Sequence, residues 1–451
     1  MPKKTLLIQV PKGFRDILPE DQKYYEFIRE IGFKHLRING FRKIDLPMLE
    51  YQSLFQRGVG EETEIVKKEM FIVERKSKSE DKENWAMRPE GTAGVARAYV
   101  EHGMHTKPQP VMLYYYGPFF RYEQPQEGRY REHWQLGGEM LGVSKPSADV
   151  EVIRIMLDIL NDLGLHDIIL YINSLGCSHC RPNIRKSLEE YFSLYKNKLC
   201  PDCKRRLNTN IFRILDCKDS KCKNISKEAP SILDNLCVYC KNHFTKVLEL
   251  LDELKINYDL DPSLVRGLDY YTRTVFEVST IEDKERKLSL GGGGRYDNLI
   301  ESLGGTSVPA VGFSLGVDRI VELLKKLKVS VPDFEKPQIF LAQLGESAKN
   351  FSYQLLKELR ENGFSVQATP FKDSLKSQLR FANRIKVKFT LIIGQKEIND
   401  KTVIVRDMQE GVQEIVSQLE LINYLKEKLI KKDTKLIFGK NKNERNYKKR
   451  S

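Results

Sequence analysis

Eight cysteines, all between residues 177 and 240 of a 451-residue chain, form the densest chemical grouping in the sequence. Cys177 and Cys180, Cys200 and Cys203, and Cys237 and Cys240 are pairs with two intervening residues, and Cys217 and Cys222 make a looser fourth. Two-residue spacing lets both thiolates of a pair face one tetrahedral ion, so four pairs suffice for two zinc sites. In a reducing compartment zinc is expected over disulfides. Arginines form a second group: Arg121 follows an apolar run and Arg266 sits between aromatic-rich segments, where an idle charge would be costly to bury. A guanidinium is a fixed fork of donors, suited to carboxylate and phosphate oxygens. Glycines 291–294 could suggest a phosphate loop, but no Gly-Lys-Ser/Thr follows and no dinucleotide-type βαβ unit opens there. Close approach of the backbone to a pocket or a neighbouring strand accounts for them better.

The elements that must position these residues read as follows. Short β-branched or aromatic runs at residues 41–47, 70–73 and 111–116 predict strands. Residues 148–163, with Val152, Ile153, Ile155, Met156, Ile159, Leu160 and Leu163 at helical spacing, predict an amphipathic helix. A strand at 168–172 follows, the cysteine segment interrupts the pattern until about His243, and a strand at 274–278 and a helix at 318–328 close this part. Pro332 and Pro337 mark a linker. Beyond it, strands at 339–342, 364–367, 389–393 and 402–406, helices at 347–362 and 374–385, and a last helix from Val412 predict a small α/β domain. The part before the linker reads as an antiparallel sheet carrying helices, so the whole is α+β.

Lysine and arginine number 75 against 62 aspartates and glutamates, a net charge of +13 that favours a polyanionic partner. Nine basic residues against two acidic ones fall in residues 431–451, so over half of the surplus is a tail with few apolar residues to bury, expected to be disordered. The short apolar run at residues 5–10 is too brief for a signal-peptide core, and no segment has the apolar length of a membrane span. A cytoplasmic protein with no membrane contact is expected.

Three separated segments together resemble the signature of class II aminoacyl-tRNA synthetases. Gly40-Phe-Arg-Lys-Ile-Asp-Leu-Pro47 is similar to motif 1, a dimer-interface element in that class; Phe120-Arg-Tyr-Glu123 with Arg131 resembles motif 2; Gly312-Phe-Ser-Leu-Gly316-Val-Asp318-Arg319 resembles motif 3, with aspartate where glutamate is more usual. Within the class, Leu264-Val-Arg-Gly-Leu-Asp-Tyr-Tyr-Thr-Arg-Thr-Val-Phe-Glu277 looks like the histidine-specific signature of the histidyl-tRNA synthetase family. Pro11-Lys-Gly-Phe-Arg-Asp-Ile-Leu-Pro19, Arg88-Pro-Glu-Gly-Thr92, Gln135-Leu-Gly-Gly-Glu139 and Gly292-Gly-Gly-Arg-Tyr-Asp297 match that family in the same order. The resemblance covers residues 10 to about 425. It departs at Glu132-His133-Trp134, where phenylalanine then histidine is usual, which bears on the packing of the adenine-facing strand.

The resemblance implies ATP-dependent activation of L-histidine and its transfer to the 3′ end of tRNA(His), by a homodimer. Attack of a carboxylate on the α-phosphorus of ATP pushes two anions together, so such an enzyme needs cations and positioning. By resemblance, Arg121 would bridge the amino-acid carboxylate and the α-phosphate, Arg319 would hold the γ-phosphate end, and Arg266 would meet the α-phosphate as charge develops. Glu123 would contact the adenine amino group, and Mg2+ would neutralise the β and γ phosphates. Imidazole can be read at both ring nitrogens by a carboxylate and a phenol. The family comparison gives Glu139 and Tyr271 to the ring, Glu90, Thr92 and Gln135 to the amino and carboxylate groups, and Tyr270 to the pocket wall. Arg129 and Arg131 could meet the acceptor stem, ATP or water.

The implied domains are a catalytic core in two parts, residues 1–173 and 244–328, a cysteine-rich insertion at 174–243 lying over the tRNA acceptor arm, an anticodon-binding domain at 336–428, and the basic tail at 431–451. Two rival readings are a synthetase-like regulator of histidine biosynthesis, expected to lack Arg266, the motif 2 loop and the last domain, and a plain nucleic-acid-binding protein, which leaves the histidine signature unexplained. All three discriminating features are present.

Overall fold

A computed structural model describes residues 7–74, 83–126, 128–283, 289–333, 336–369 and 374–437. The chain divides into two compact units, residues 1–332 and 333–451. In the first, the strands among the described residues are β1 (Arg42–Lys43), β2 (Leu49–Tyr51), β3 (Ile72–Val73), β4 (Trp85–Met87), β5 (Val111–Phe120), β6 (Glu132–Leu141), β7 (Ile168–Ser174), β8 (Tyr258–Leu260), β9 (Thr272–Thr280), β10 (Gly291–Arg295) and β11 (Ala310–Gly316). Eight of them form one sheet in the order β1-β5-β6-β11-β10-β9-β7-β8, and β2, β4 and β3 form a small second one. Only the outer pairs β1 with β5 and β7 with β8 are parallel. The large sheet is otherwise antiparallel, with long connections carrying helices.

Alternation along the strands gives this sheet two unlike faces. Tyr114, Leu136, Met140, Phe276, Val278, Phe313 and Leu315 face helices Pro19–Ile38, Pro146–Asp162 and Val317–Lys326, whose Ile28, Leu36, Ile153, Met156, Leu160, Ile320 and Leu324 complete a dry core. Both long helices begin with proline at the first turn and carry acidic residues there, Glu20 and Asp21 in one and Asp149 in the other, which suits a helix N-terminus. The opposite face carries Tyr115, Phe119, Val275 and, beyond them, Tyr270, Tyr271 and Tyr296. It is the face with chemistry.

Beyond the expected runs this unit has β2, β4, β8, β10 and β11, and β6 is expected only as the adenine-facing strand that the resemblance implies. β6 mixes polar residues with the adjacent Gly137 and Gly138, and β10 is almost all glycine, a residue poor in strand propensity. In β10 the lack of side chains is required by the sheet: a Cβ on Gly293 would lie 2.0 Å from the Gly312 carbonyl oxygen, and one on Gly292 2.4 Å from that of Phe276 and 3.0 Å from Arg266 Nη1. The glycine run is thus a close approach to the two neighbouring strands, the second of the two alternatives its sequence reading left open, with Gly292 also lying against Arg266.

The cysteine segment folds as helices Arg181–Leu194, Pro201–Thr209, Phe212–Leu215 and Ser220–Lys227, ending in the longer Val238–Glu253. In the second unit β12 (Ile339–Gln343), β13 (Val366–Ala368), β14 (Phe389–Ile393), β15 (Thr402–Asp407) and β16 (Gln413–Ser417) form a sheet ordered β13-β12-β14-β15-β16. Here the expected helix from Val412 is corrected. Residues 413–417 are an edge strand antiparallel to β15, placed there by the turn at residues 408–411, and the helix begins at Leu421. That helix runs to Ile437, so the basic tail expected from Lys431 starts inside it; residues 438–451 lie outside the described residues. No helix among the described residues is long and apolar enough to cross a membrane.

Candidate active site

Register brings the central carboxylate into place. On β6 Glu139 stands opposite Leu113 of β5 and Gly312 of β11, and it is 1% exposed. A Cβ on Gly312 would sit 1.7 Å from Glu139 Oε2, so only glycine leaves the carboxylate room. Three hydroxyls donate to it: Thr92 Oγ1 at 2.8 Å, Tyr296 at 2.6 Å and, more loosely, Tyr115 at 3.3 Å. Burial pushes the Glu139 carboxyl up to about 8, against the opposing pull of the Tyr296 and Thr92 hydrogen bonds. Glu139 is therefore a fixed, aimed group that holds its proton at neutral pH.

Aromatic walls surround it. Tyr270 and Tyr271, both buried, lie with ring centroids 4.7 Å apart, and Tyr296 stands edge-on to Tyr270 at 5.7 Å. The Tyr270 hydroxyl donates to Glu90 Oε2 at 3.3 Å. Glu90 also accepts the backbone N–H groups of Thr92 and Ala93 at 2.7 and 2.8 Å, which caps helix Thr92–Glu101 and aligns Thr92. Burial raises the Glu90 carboxyl above its ordinary range.

Beyond this pocket the lining becomes cationic. Arg121, just past β5, is oriented by an Nε hydrogen bond to the Pro89 carbonyl at 2.9 Å. Arg121, Glu123, Gln135, His133 and Arg319 border one cavity, so residues far apart in sequence do meet. Arg319 donates to the Ser289 carbonyl, and burial followed by repulsion from Arg129 and Arg121 pushes its pKa down to about 10. Burial and then the charges of Arg121, Arg319 and Arg129 hold the His133 imidazole well below its usual range, hence neutral. Glu123 forms an ion pair with Arg129. Arg266 pairs with Glu277 and lies 6.0 Å from the centre of the Tyr271 ring; burial would lower its pKa, and Glu277 reverses this to a net rise. Its buried Nε makes no hydrogen bond among the described residues. Arg129, Arg266, Ser289 and Arg319 line a further cavity of about 580 Å3, with Lys218, Lys223 and Lys227 of the insertion on its other wall. Cations held this close repel one another, and an anion between them relieves the repulsion.

Other residues of the quoted segments are structural. Arg131 donates to the carbonyls of Glu123 and Lys12 and lies over the Tyr122 ring at 3.7 Å, fastening the loop to the chain's N-terminal segment. Asp318 accepts from Arg15, Tyr25 and the Trp134 backbone at 2.5 to 2.6 Å, which ties three elements together. Tyr115 and Tyr296 were missed as site residues. A signal existed for both: period two places Tyr115 alone of three successive tyrosines on the pocket face, and Tyr296 ends the glycine-rich segment.

The eight cysteines fall into two groups of four: Cys177, Cys180, Cys237 and Cys240, and Cys200, Cys203, Cys217 and Cys222, the sulfurs of each group lying within 4.8 Å of one another. None is in a disulfide. Cys177 Sγ is 3.7 Å from Cys180 Sγ and 3.9 Å from Cys237 Sγ, and Cys200 Sγ is 3.9 Å from Cys217 Sγ. A zinc ion about 2.3 Å from each of four thiolates sets them roughly 3.8 Å apart.

Comparison with known proteins agrees with this geometry. Residues 13–320 match the family described as Histidyl-tRNA synthetase, and residues 338–428 the one described as Anticodon binding domain. The chain is 42% identical over 422 residues to the histidine--tRNA ligase of Desulforamulus reducens, covering 93% of this chain and 99% of the relative. It is 43% identical over 426 residues to that of Caldicellulosiruptor bescii, covering 94% and 100%. Among solved structures, apo S. aureus histidyl-tRNA synthetase superposes with a TM-score of 0.78 at 33% identity, over 93% of this chain and 100% of that one.

Proposed function

The chain belongs to the histidyl-tRNA synthetase family, and on that premise we propose how its pocket divides the work of that reaction. The protein is a histidine–tRNA ligase: it converts L-histidine and ATP to histidyl-adenylate and pyrophosphate and passes the histidyl group to tRNA, releasing AMP. The observation that carries the assignment of its residues is the closed, tyrosine-walled Glu139 pocket lying next to a cluster of under-neutralised arginines.

Histidine enters with its imidazole against Glu139 and Tyr271, where Thr92, Tyr115 and Tyr296 keep the carboxylate from rotating away. Glu90, Thr92 and Gln135 meet the amino and carboxylate groups, and Tyr270 closes the wall. A carboxylate oxygen of histidine attacks the α-phosphorus, and the bond to the β-phosphate oxygen breaks to release pyrophosphate. Arg121 spans the attacking carboxylate and the α-phosphate, Arg266 meets the charge that builds there, and Arg319 holds the γ-phosphate end. In the second step the terminal ribose hydroxyl of tRNA(His) attacks the histidyl carbonyl and AMP leaves.

Glu123 turns from Arg129 to the adenine amino group when ATP is present. ATP would bring Mg2+, which would neutralise the charge of the β and γ phosphates. The two cysteine groups would hold structural Zn2+, which their spacing fits. A homodimer is supported by the exposed apolar Met48, Leu49, Tyr51 and Ile72 in and beside the small sheet that follows the motif 1 segment. The chain acts in the cytoplasm, where eight free thiols persist. Histidine-dependent exchange of label between pyrophosphate and ATP tests the pocket assignment: Arg121→Ala and Glu139→Ala should each abolish it in folded protein. Full exchange in both variants would place the site elsewhere.

A further inference from the structure

Residues 261–271, which carry Arg266, Tyr270 and Tyr271, form no strand; they span the gap between β8 and β9. A loop holding a buried arginine at a reacting phosphate must be fixed from outside. The fixing groups come from the cysteine-rich insertion. Arg181, the residue after Cys180, donates from Nη2 to the Tyr271 carbonyl at 2.6 Å. Asn210, at the end of the helix that begins beside Cys200, donates from Nδ2 to Asp269 Oδ1 at 2.8 Å. Arg213 donates from Nη1 to the Arg266 carbonyl at 3.1 Å. The loop is thus gripped at residues 266, 269 and 271 by three side chains of the insertion, one next to the first cysteine group and two between the halves of the second.

The buried apolar residues of the insertion, among them Ile184, Leu188, Phe192, Leu207, Ile211 and Ile214, continue into the cluster under Tyr270 and Tyr271, so the insertion packs on the loop it grips. It is a segment of about 70 residues, a size at which domains commonly depend on a metal or cross-link. The cysteine groups are placed to compensate. The first ties the entry of the insertion, Cys177 and Cys180, to its exit, Cys237 and Cys240; the second closes the chain from Cys200 to Cys222 around Asn210 and Arg213. Four thiolates at mutual contact, with no oxygen or imidazole among them, suit tetrahedral Zn2+.

We propose that both cysteine groups bind zinc and that the zinc-held insertion, through Arg181, Asn210 and Arg213, positions the loop bearing Arg266 and Tyr271 for histidine activation. The inference rests on the reading of Arg266 and Tyr271 as activation-site residues. Arg181, Asn210 and Arg213 are positioning residues, acting on the reaction only through that loop.

The test uses the full-length protein. Zinc and iron are measured by elemental analysis after exhaustive dialysis, and histidine-dependent pyrophosphate exchange is followed in Asn210→Ala/Arg213→Ala, Cys203→Ser/Cys217→Ser and Arg266→Lys. Two zinc ions per chain are expected in the wild type and in the Asn210/Arg213 variant, and about one in the cysteine variant. The Asn210/Arg213 variant should lose roughly 10- to 100-fold in kcat for exchange with KM for ATP within about threefold of wild type and an unchanged melting temperature, a split that general destabilisation would not give. Asn210→Asp, which sets a carboxylate against Asp269, should be slower than Asn210→Ala. Zinc below about 0.2 per chain in protein purified without chelator would overturn the metal sites. Wild-type kcat in the Asn210/Arg213 variant, with Arg266→Lys inactive, would overturn the positioning role; wild-type activity in Arg266→Lys would instead refute the underlying reading of the loop.

Discussion

Replacing Glu139 by glutamine keeps the shape of the pocket and removes the carboxyl assigned to the imidazole, and the consequences can be worked through. In the free protein the carboxyl is raised from its ordinary 4.5 to about 8. At about 1.4 kcal/mol per pH unit, ionising it there costs on the order of 5 kcal/mol. Between those two values the native protein holds a proton that the unfolded chain has released, so this residue's contribution to stability is full below about pH 4.5 and is lost as pH rises through about 8. Glutamine removes that fall. Histidine binding follows the same proton. Free imidazole titrates near about 6.5, and the bound pair shares one proton between ring and carboxyl. Between about 6.5 and 8 the separated partners already carry one proton, on Glu139, and affinity should be flat. Above about 8 binding must take up a proton, and Kd should rise as much as tenfold per pH unit. In Glu139→Gln the alkaline limb vanishes, and loss of a charge-assisted hydrogen bond, about 1.5–3 kcal/mol, weakens binding roughly 10- to 100-fold while ATP affinity holds. Titration calorimetry of histidine at pH 6 to 9, as the difference between wild type and variant, reads all of this, since the ligand's own titrations cancel. A Kd changed less than twofold, or a difference between wild type and variant that stays constant from pH 7 to 9, would refute the assignment of Glu139 to the ring.

Arg266→His should bind histidine with near-normal affinity and form adenylate roughly 100- to 1,000-fold more slowly in single-turnover measurements. Tyr296→Phe removes a hydrogen bond that favours ionised Glu139, so the alkaline limb of histidine binding should move to higher pH, as calorimetry would show. Deleting residues 333–451 should leave histidine-dependent pyrophosphate exchange within a few-fold of wild type and raise the KM for tRNA at least tenfold, because every proposed activation residue precedes the second unit.

Periodicity made the long helices legible, since residues 148–163 offer an apolar face at every turn and the structure has a helix at Pro146–Asp162. It failed where the site imposed other demands. β10 is a strand in spite of its glycines, because an arginine and two neighbouring strands leave no room for side chains. β6 was legible only through the family resemblance and not from its pattern, because the residues it turns toward the pocket, His133, Gln135 and Glu139, are polar or flanked by glycine. Motif spacing singled out Arg121, Arg266, Arg319 and Glu139, but could not say that Asp318 and Arg131 spend their hydrogen bonds on the fold, nor that Glu90 caps a helix. Cysteine spacing implied two groups without telling which pairs combine. That depends on the insertion's path, which returns its last pair to its first. The donors from Arg181, Asn210 and Arg213 belong to no motif and emerge only when the insertion is folded against the loop.

The most direct test of the central claim is charging itself. Purified full-length protein is given ATP, Mg2+ and unfractionated tRNA with each of the proteinogenic amino acids, labelled, in turn, and alkali-labile label on tRNA is counted. Histidine alone should be incorporated, to the level of the histidine-accepting tRNA in the pool, and not when ATP is omitted. Incorporation of a different amino acid, or of none by protein that is folded and binds ATP, would contradict the account.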